Sequence, residues 1–291
     1  MKNKIVAITG SHGFLGKALL KRLTDSDQSY MTHIIKREDF YLPGFKEKLR
    51  EINPSLIIHC GAYGNHSDQT DDQETFEANV VKTFLLIKDT LDIPYEAFIN
   101  IGSSSEYGIK IQSMREEDYL EPMTMYAGTK AAGTMIARVF AKKYNKPIVT
   151  VRPFSVYGPG EADHRFIPTA IKALVKGEEL QLDPNAQHDW IYIDDFVEAV
   201  LKVIEHASVL SGNAVNIGMG KQYANREVLT ILEMIAGKEA KVVNKNFPRT
   251  DSKYWIANNS LLKLCRWLPM ADLKKGLMMT YGYYKEKYDQ K

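Results

Sequence analysis

Five short apolar segments in the first half of the chain limit its fold more than any other feature. They cover residues 4–9, 33–36, 55–60, 97–101 and 148–151, with helical stretches between them. Apolar runs of this length are typical of strands that are buried between two layers of helices. Strands that alternate with helices favour βαβ units and a parallel sheet. We therefore predict a doubly wound α/β domain over roughly the first half of the chain.

The stretches between these segments have the spacing of helices. Apolar and alanine residues recur at helical intervals in residues 14–23, 76–90 and 125–144. Beyond Gly158, proline and glycine break the pattern into short pieces, so we expect a smaller second domain there. Residues 190–203 resume the pattern of a strand end followed by a helix. The predicted domains are 1–160, with 189–218 returning to it, and 161–291.

Composition and charge exclude several classes of protein. Of the 291 residues, 44% are hydrophobic and 25% are charged, as in an ordinary globular protein with a sizeable core. The 38 basic and 36 acidic residues leave a net charge of +2, too small to attract a nucleic acid. No apolar stretch has the length of a membrane span, and no signal-peptide core precedes the first strand. We expect neither nucleic acid nor a membrane as a partner.

Cysteine and histidine usage predicts a reducing compartment and no bound metal. Cys60 and Cys265 are the only cysteines, too few for a disulfide framework and without the paired spacing of a zinc site. The seven histidines are scattered along the chain. A cytoplasmic protein without a metal site is therefore expected.

A glycine-rich loop follows the first predicted strand and opens the first helix. Its spacing is GxxGxxG, which differs from the GxGxxG of the general dinucleotide fingerprint. In this position, backbone N–H groups and the helix dipole can hold a dinucleotide pyrophosphate. The alternative is a glycine-rich turn that binds nothing. The predicted cofactor contacts in the loop are Gly10, His12, Gly13, Phe14, Leu15 and Gly16.

The end of the second predicted strand bears on the choice of cofactor. About twenty residues beyond the glycine loop, NAD-binding chains carry an acid that holds the adenosine ribose. This chain has Lys36 and Arg37 there. Basic side chains suit a 2′-phosphate, so we predict NADP, with NAD as the alternative. Residues 36–39 could also be a solvated charged turn.

A tyrosine and a lysine lie one helical turn apart, at Tyr126 and Lys130, on the same face of a predicted helix. A nearby ammonium and an oxidised nicotinamide can lower the tyrosine pKa toward neutrality, as acid or base work requires. The same spacing recurs between residues 281 and 285 and between 283 and 287, in a polar tail that reads as solvated helix surface. Only Tyr126 follows a serine cluster, residues 102–108, at the carboxyl edge of the predicted sheet.

These motifs together resemble the extended short-chain dehydrogenase/reductase superfamily, and within it the NAD-dependent epimerase/dehydratase family. The resemblance implies a Rossmann domain, a smaller C-terminal α/β domain that binds a nucleotide-diphosphate sugar, and a homodimer joined through two helices per subunit. It extends over most of the chain. The matching residues are 9–16, 59–62, Asn79, 102–108, 126–130, 152–159 and 188–195.

The resemblance also implies roles for single residues. Ser103 would be the catalytic hydroxyl, Tyr126 the acid or base, and Lys130 would bind the nicotinamide ribose and lower the Tyr126 pKa. Further implied cofactor contacts are Cys60, Gly61, Ala62, Asn79 and Pro153. The implied substrate contacts are Ser104, Ser105, Ser155, His188, Arg249 and Asp251.

Departures from the family pattern separate its reactions. The 4,6-dehydratases have an acid two residues before the tyrosine of the Tyr-Gly pair, where this chain has Ser105. Glu106 comes one residue late, which would put it on the wrong side of the chain. The serine-rich stretch most resembles 4-ketoreductases of GDP-4-keto-6-deoxymannose and GDP-fucose synthases, although Ser105 also replaces a cysteine that fucose synthases use.

The predicted function is therefore NAD(P)H-dependent reduction of the 4-keto group of a nucleotide-diphosphate (6-deoxy)sugar, in surface-polysaccharide sugar biosynthesis. The first alternative is a nucleotide-sugar 4-epimerase with tightly bound NAD. A 4,6-dehydratase and a non-catalytic dinucleotide-sensing protein are further alternatives.

Overall fold

The computed structural model describes residues 4–25, 30–66, 68–245 and 254–290. Its strands are β1 (Lys4–Thr9), β2 (Tyr30–Ile35), β3 (Leu56–His59), β4 (Ala97–Ile101), β5 (Ile148–Pro153), β6 (Ser155–Tyr157), β7 (Glu179–Leu182), β8 (Gln187–His188), β9 (Trp190–Tyr192), β10 (Ala214–Ile217), β11 (Tyr223–Ala224) and β12 (Lys241–Asn244).

The α-helices are α1 (Phe14–Thr24), α2 (Phe45–Ile52), α3 (Asp72–Phe76), α4 (Lys82–Asp89), α5 (Met125–Tyr144), α6 (Phe166–Lys176), α7 (Ile193–Glu205), α8 (Asn225–Ala236), α9 (Ser260–Leu264) and α10 (Leu273–Asp289). A π-helical turn, Glu77–Val81, joins α3 to α4, and short 3-10 helices cover Asp39–Tyr41 and Ser104–Tyr107.

Six parallel strands form one sheet in the order β2-β1-β3-β4-β5-β10. The order reverses between β1 and β3, and the carboxyl ends of strands on either side of such a reversal form the ligand crevice of α/β folds. The predicted α/β class with a doubly wound parallel sheet is confirmed. This topology places the loops that follow β1, β3 and β4 along one edge.

Both faces of the sheet are covered, which explains the nearly continuous apolar character of its strands. In β1, Val6 and Ile8 belong to one core cluster, and the intervening Ala7 belongs to the other. The first cluster includes buried residues of α1, α6, α7, α8 and α10. The second includes those of α2, α4 and α5. Alternate side chains of each strand thus enter opposite layers.

Boundaries agree with the sequence where apolar periodicity and a helix cap coincide. β1, β4 and α5 have the predicted limits, and α5 begins where the Thr124 side chain accepts a hydrogen bond from the N–H of Ala127 at 3.1 Å. The helix predicted from Phe76 instead begins at Asp72, after a cap at Asp71. Its first turn is polar, so apolar spacing gave no signal there.

The chain beyond β6 builds smaller elements and then returns to the main sheet. β6 pairs with β9, β8 with β11, and β7 with β12. α10 packs against α6 and α8, whereas α7 packs against α1 and β10 joins the sheet beside β5. Among the described residues, no helix is both long and apolar enough to cross a membrane.

Candidate active site

The glycine loop after β1 packs directly on the backbone that follows β3. A Cβ on Gly10 would lie 2.6 Å from the carbonyl carbon of Cys60 and from the nitrogen of Gly61, and its φ is +64°. A Cβ on Gly16 would lie 2.2 Å from the oxygen of Gly10. Only glycine fits at both positions. The loop therefore reaches the switch point of the sheet and starts α1 there.

The amino end of α1 has the properties of an anion site. The cap residue Gly13 supplies no side-chain hydrogen bond, and the first turn has no acidic residue. The first N–H groups of the helix are thus left for a ligand, and the helix dipole favours negative charge. His12 and Gly13 are exposed, and Phe14 and Leu15 are half-buried. These residues fit the pyrophosphate of a dinucleotide.

The basic turn after β2 is held by its own ion pairs. The N–H of Lys36 donates to the Asp39 carboxylate at 2.8 Å, and Lys48 binds the same carboxylate at 2.9 Å. Arg37 forms an ion pair with Glu74 of α3. Lys36 and Arg37 thus follow the carboxyl end of β2 as exposed residues, and a ligand would share Arg37 with Glu74.

A buried polar network fixes the loop after β3. His59 is bound to the hydroxyls of Thr9 (2.7 Å) and Thr83 (3.0 Å), and burial lowers its pKa to about 3, so the ring is neutral. The amide of Asn79 accepts from the N–H of Tyr63 at 3.0 Å and donates to its carbonyl at 2.9 Å. The side chain of Asn79, an expected cofactor contact, therefore fixes the loop of residues 61–64.

The three expected catalytic residues meet at the carboxyl end of β4. Ser103 caps the 3-10 helix, and its hydroxyl is close enough to the Tyr126 phenol to lower the pKa of that phenol. Lys130, one turn further along α5, is buried and donates to the carbonyl of Ile101. The structure brings this hydroxyl, phenol and ammonium together beside Cys60.

The pKa of Tyr126 differs from the sequence-based expectation. Burial raises it to about 12, and the hydrogen bond from Ser103 opposes this increase. Burial also lowers the pKa of Lys130, despite the nearby Glu106 carboxylate. The protein groups by themselves therefore keep the Tyr126 phenol protonated near neutral pH, and Lys130, which was expected to lower this pKa, is not among the groups that do so.

Glu106 is buried away from the crevice. One carboxylate oxygen accepts from the Arg152 Nε at 2.8 Å. The other accepts from the N–H of Ser103 at 2.8 Å and from the Thr134 hydroxyl at 3.0 Å. The side chain is 0% exposed. The acid that follows the serine cluster is therefore a structural group that fixes Ser103, not an acid that a substrate can reach.

Sequence reasoning missed the network that surrounds this ion pair. Arg152 in β5 also donates to the Tyr107 hydroxyl at 2.8 Å, and its guanidinium lies over the Tyr107 ring. Tyr107 donates to the side-chain oxygen of Asn216 in β10 at 2.7 Å. The sequence offered one signal of this network. Arg152 is a charged residue in a mainly apolar strand, and a charge that is buried there needs a buried partner.

The expected substrate contacts are only partly brought together. The pairing of β6 with β9 puts the Ser155 hydroxyl 3.3 Å from the Nδ1 of His188. Ser104 is buried and Ser105 is half-buried beside Ser103. Of the expected cofactor contacts, Pro153 is buried and Ala62 is exposed. Arg249 and Asp251 lie outside the described residues.

Asp189, next to His188, is a second buried acid with a structural role. The sequence did not predict this role. It accepts the N–H groups of Met219, Gly220 and Ala257 at 2.7 to 2.9 Å. Burial raises its pKa to about 6, against the effect of these hydrogen bonds. It ties the start of β9 to two loops.

A glycine loop at the switch point, with a serine, a tyrosine and a lysine beside it, defines a nicotinamide-dependent enzyme of the short-chain dehydrogenase/reductase class. The model of the NAD dependent epimerase/dehydratase family matches residues 6–218. The chain belongs to this family.

Relatives and solved structures agree with this assignment. The chain is 28% identical to CDP-abequose synthase of Salmonella typhimurium, over 94% of this chain and 95% of the relative. It is 25% identical to UDP-glucuronic acid 4-epimerase of Bacillus cereus, solved with UDP-glucuronic acid and NAD, with a TM-score of 0.88 over 98% and 100% of the chains. RMD of Pseudomonas aeruginosa, complexed with NADPH, shares the fold at 22% identity and a TM-score of 0.86, over 98% and 99% of the chains.

Removing one partner of the Glu106–Arg152 pair is expected to destabilise the protein strongly. Arg152→Met leaves the Glu106 carboxylate buried without a cation, which costs about 3–5 kcal/mol. The measurement is the free energy of unfolding in urea. Arg22→Met, which breaks the exposed pair with Glu198, is the control, with an expected cost of about 0–1 kcal/mol. Equal losses for the two variants would contradict the structural role of the buried pair.

Proposed function

We propose that the protein catalyses NADPH-dependent reduction of the 4-keto group of a nucleotide-diphosphate (6-deoxy)sugar. The observation that carries this proposal is the burial of Glu106 against Arg152. It leaves the turn after β4 with serine hydroxyls and no reachable carboxylate. A dehydratase needs such an acid to remove a hydroxyl and a proton, whereas a reduction does not.

The catalytic side chains suit reduction. Tyr126, with a pKa of about 12, is protonated at neutral pH and can donate a proton to the oxygen of a keto group. The Ser103 hydroxyl can hydrogen-bond the same oxygen. Lys130 would bind the nicotinamide ribose. The reduced nicotinamide, when bound, supplies the hydride.

The substrate proposal rests on polar side chains that follow β4 and lie on β6 and β8. Ser104 and Ser105 follow Ser103, and Ser155 with His188 forms a polar pair on the neighbouring strands. Arg249 and Asp251 complete the proposed contacts with the diphosphate and nucleotide ribose. A relative at 28% identity is a CDP-sugar synthase and a similar structure holds a UDP-sugar, so a nucleotide-diphosphate sugar fits both. A cytoplasmic location and a role in surface-polysaccharide synthesis are part of the same proposal.

The cofactor proposal can be tested through the Arg37–Glu74 ion pair. Glu74→Gln frees Arg37 for a 2′-phosphate, so the ratio of kcat/KM with NADPH to that with NADH should rise. Arg37→Glu should lower the ratio by about tenfold or more, because it replaces an attractive charge with a repulsive one. Steady-state reduction rates with both cofactors measure the ratio. A wild-type preference for NADH would overturn the NADP proposal.

A nucleotide-sugar 4-epimerase is the second candidate. The similarity to a UDP-glucuronic acid 4-epimerase solved with NAD supports it. Such an enzyme would retain NAD through purification, whereas the proposed reductase would release its cofactor after each turnover. The cofactor content of the purified protein separates the two. A non-catalytic dinucleotide sensor is less consistent with an intact set of Ser103, Tyr126 and Lys130.

Tyr126→Phe is expected to bind cofactor normally and to lose activity. The phenyl ring keeps the packing, but no proton can be donated, which costs about 100-fold or more in kcat. Nicotinamide fluorescence measures cofactor binding. Turnover is measured with a panel of 4-keto-6-deoxy nucleotide sugars. Tyr119→Phe, at a side chain that is 90% exposed, is the matched control. An unchanged rate in the Tyr126 variant would exclude the proposed proton transfer.

The homodimer belongs to the same proposal, and an apolar face on α4 and α5 supports it. Phe84, Met135, Val139 and Tyr144 are between 39% and 59% exposed on these two helices. The rings of Phe84 and Phe140 pack against each other across them. Large exposed apolar side chains on neighbouring helices are typical of an interface between subunits.

Val139→Glu should convert the dimer to a monomer, because it buries a charge at the centre of this face. Size-exclusion chromatography with light scattering gives the mass. Met234→Glu, on an exposed part of α8, should leave the mass unchanged. A wild-type protein that is already monomeric would contradict the proposed dimer.

A further inference from the structure

An arginine of the loop between β6 and α6 bridges to the loop after β3. Arg165 is the last residue before α6, and its Nη2 donates to the carbonyl of Asn65 at 2.8 Å. The rings of His164 and His66 meet edge to face, with centroids 5.0 Å apart. Two contacts thus join loop 158–165, from the second half of the chain, to loop 61–66.

Loop 61–66 borders the catalytic tyrosine. Gly64 has a φ of +94°, and a Cβ on it would lie 3.5 Å from the Cβ of Tyr126. Asn79 holds the loop on one side through both backbone groups of Tyr63. Arg165 holds it on the other side through Asn65. The guanidinium is therefore fixed to the loop that passes Tyr126.

The charge of Arg165 acts on Tyr126. Burial is the largest influence on the tyrosine pKa and raises it, and the Glu106 carboxylate adds to the increase. The hydrogen bond from Ser103 and the charge of Arg165 both lower it. Lys130, on the same helix, donates to the backbone of β4. Arg165 is thus a positively charged group outside the helix that carries Tyr126, and it lowers the pKa of the phenol.

The acidic groups near Arg165 are Glu161 and, beside His66, Asp68. Burial raises the pKa of Glu161 to about 8, so that carboxyl is mainly protonated at pH 7. Its Oε2 is buried and has no hydrogen-bond partner among the described residues. Burial and the neighbouring Arg165 and His164 lower the pKa of His66, which keeps that ring neutral.

We propose that Arg165 is a positioning residue of the proposed reaction: it fastens loop 61–66 across the crevice and holds a positive charge beside the Tyr126 phenol. This inference rests on the proposed function only in assigning proton transfer to Tyr126. Arg165 needs no contact with the substrate for this role. Its charge favours the phenolate, which is the product of proton donation in a reduction and the reactive form in an oxidation.

The test is the pH dependence of turnover. Removing the charge with Arg165→Met raises the Tyr126 pKa. The limb of the pH–rate profile that belongs to Tyr126 is identified by its loss in Tyr126→Phe. In Arg165→Met this limb should move to higher pH by about half a unit or more. The direction is the same whether Tyr126 acts as acid or base. Arg165→Lys keeps the charge and should leave the limb near its wild-type position. Arg50→Met, at an exposed pair with Asp92, is the control.

A second readout keeps the inference testable if no substrate is turned over. Because the chain has 16 tyrosines, the ionisation of Tyr126 is taken from the ultraviolet difference between wild type and Tyr126→Phe, each with oxidised cofactor. The same difference in the Arg165→Met background should titrate at higher pH. An unchanged midpoint in Arg165→Met overturns the role of Arg165. Absence of turnover with a shifted midpoint overturns only the proposed reaction.

Discussion

The buried ion pair between Glu106 and Arg152 holds the catalytic edge of the sheet together. Taking two charges out of water is expensive unless every polar atom finds a partner. Here the carboxylate also receives the Ser103 N–H and the Thr134 hydroxyl, and the guanidinium also binds Tyr107. The pair therefore joins the turn after β4 to β5 and α5. This pair fixes the position of Ser103.

A second polar network does the same for the cofactor side. Thr9, His59 and Thr83 connect the ends of β1 and β3 to the first turn of α4. Asn79 then fixes the loop that passes Tyr126. The two networks lie at neighbouring strand ends, so the crevice is rigid where the hydroxyl, phenol and ammonium meet. Catalytic groups that are already held in place by their surroundings lose little orientational entropy during a reaction.

Environment, not spacing, gives Tyr126 its chemistry. The same tyrosine-to-lysine spacing occurs in α10, where Tyr283 is 45% exposed and lies far from the serine cluster in the chain. Tyr126, by contrast, lies beside Ser103 and close to the buried Glu106 carboxylate. Its raised pKa keeps the phenol protonated at neutral pH, as the proposed reduction requires, and the burial of Glu106 supports the same proposal.

The sequence determined the first five strands of the main sheet, the glycine loop, the helices α1, α5 and α7 and the residue types at the active site, because these depend on local periodicity and on backbone requirements such as the left-handed Gly10. It did not reveal the start of α3 or the partner of any buried charge. Glu106 and Arg152 are 46 positions apart, and Arg165 and Asn65 are 100 apart. Only the tertiary structure decided which acid is hidden and which cation acts on Tyr126, because burial and pairing arise when distant segments pack together and water is excluded.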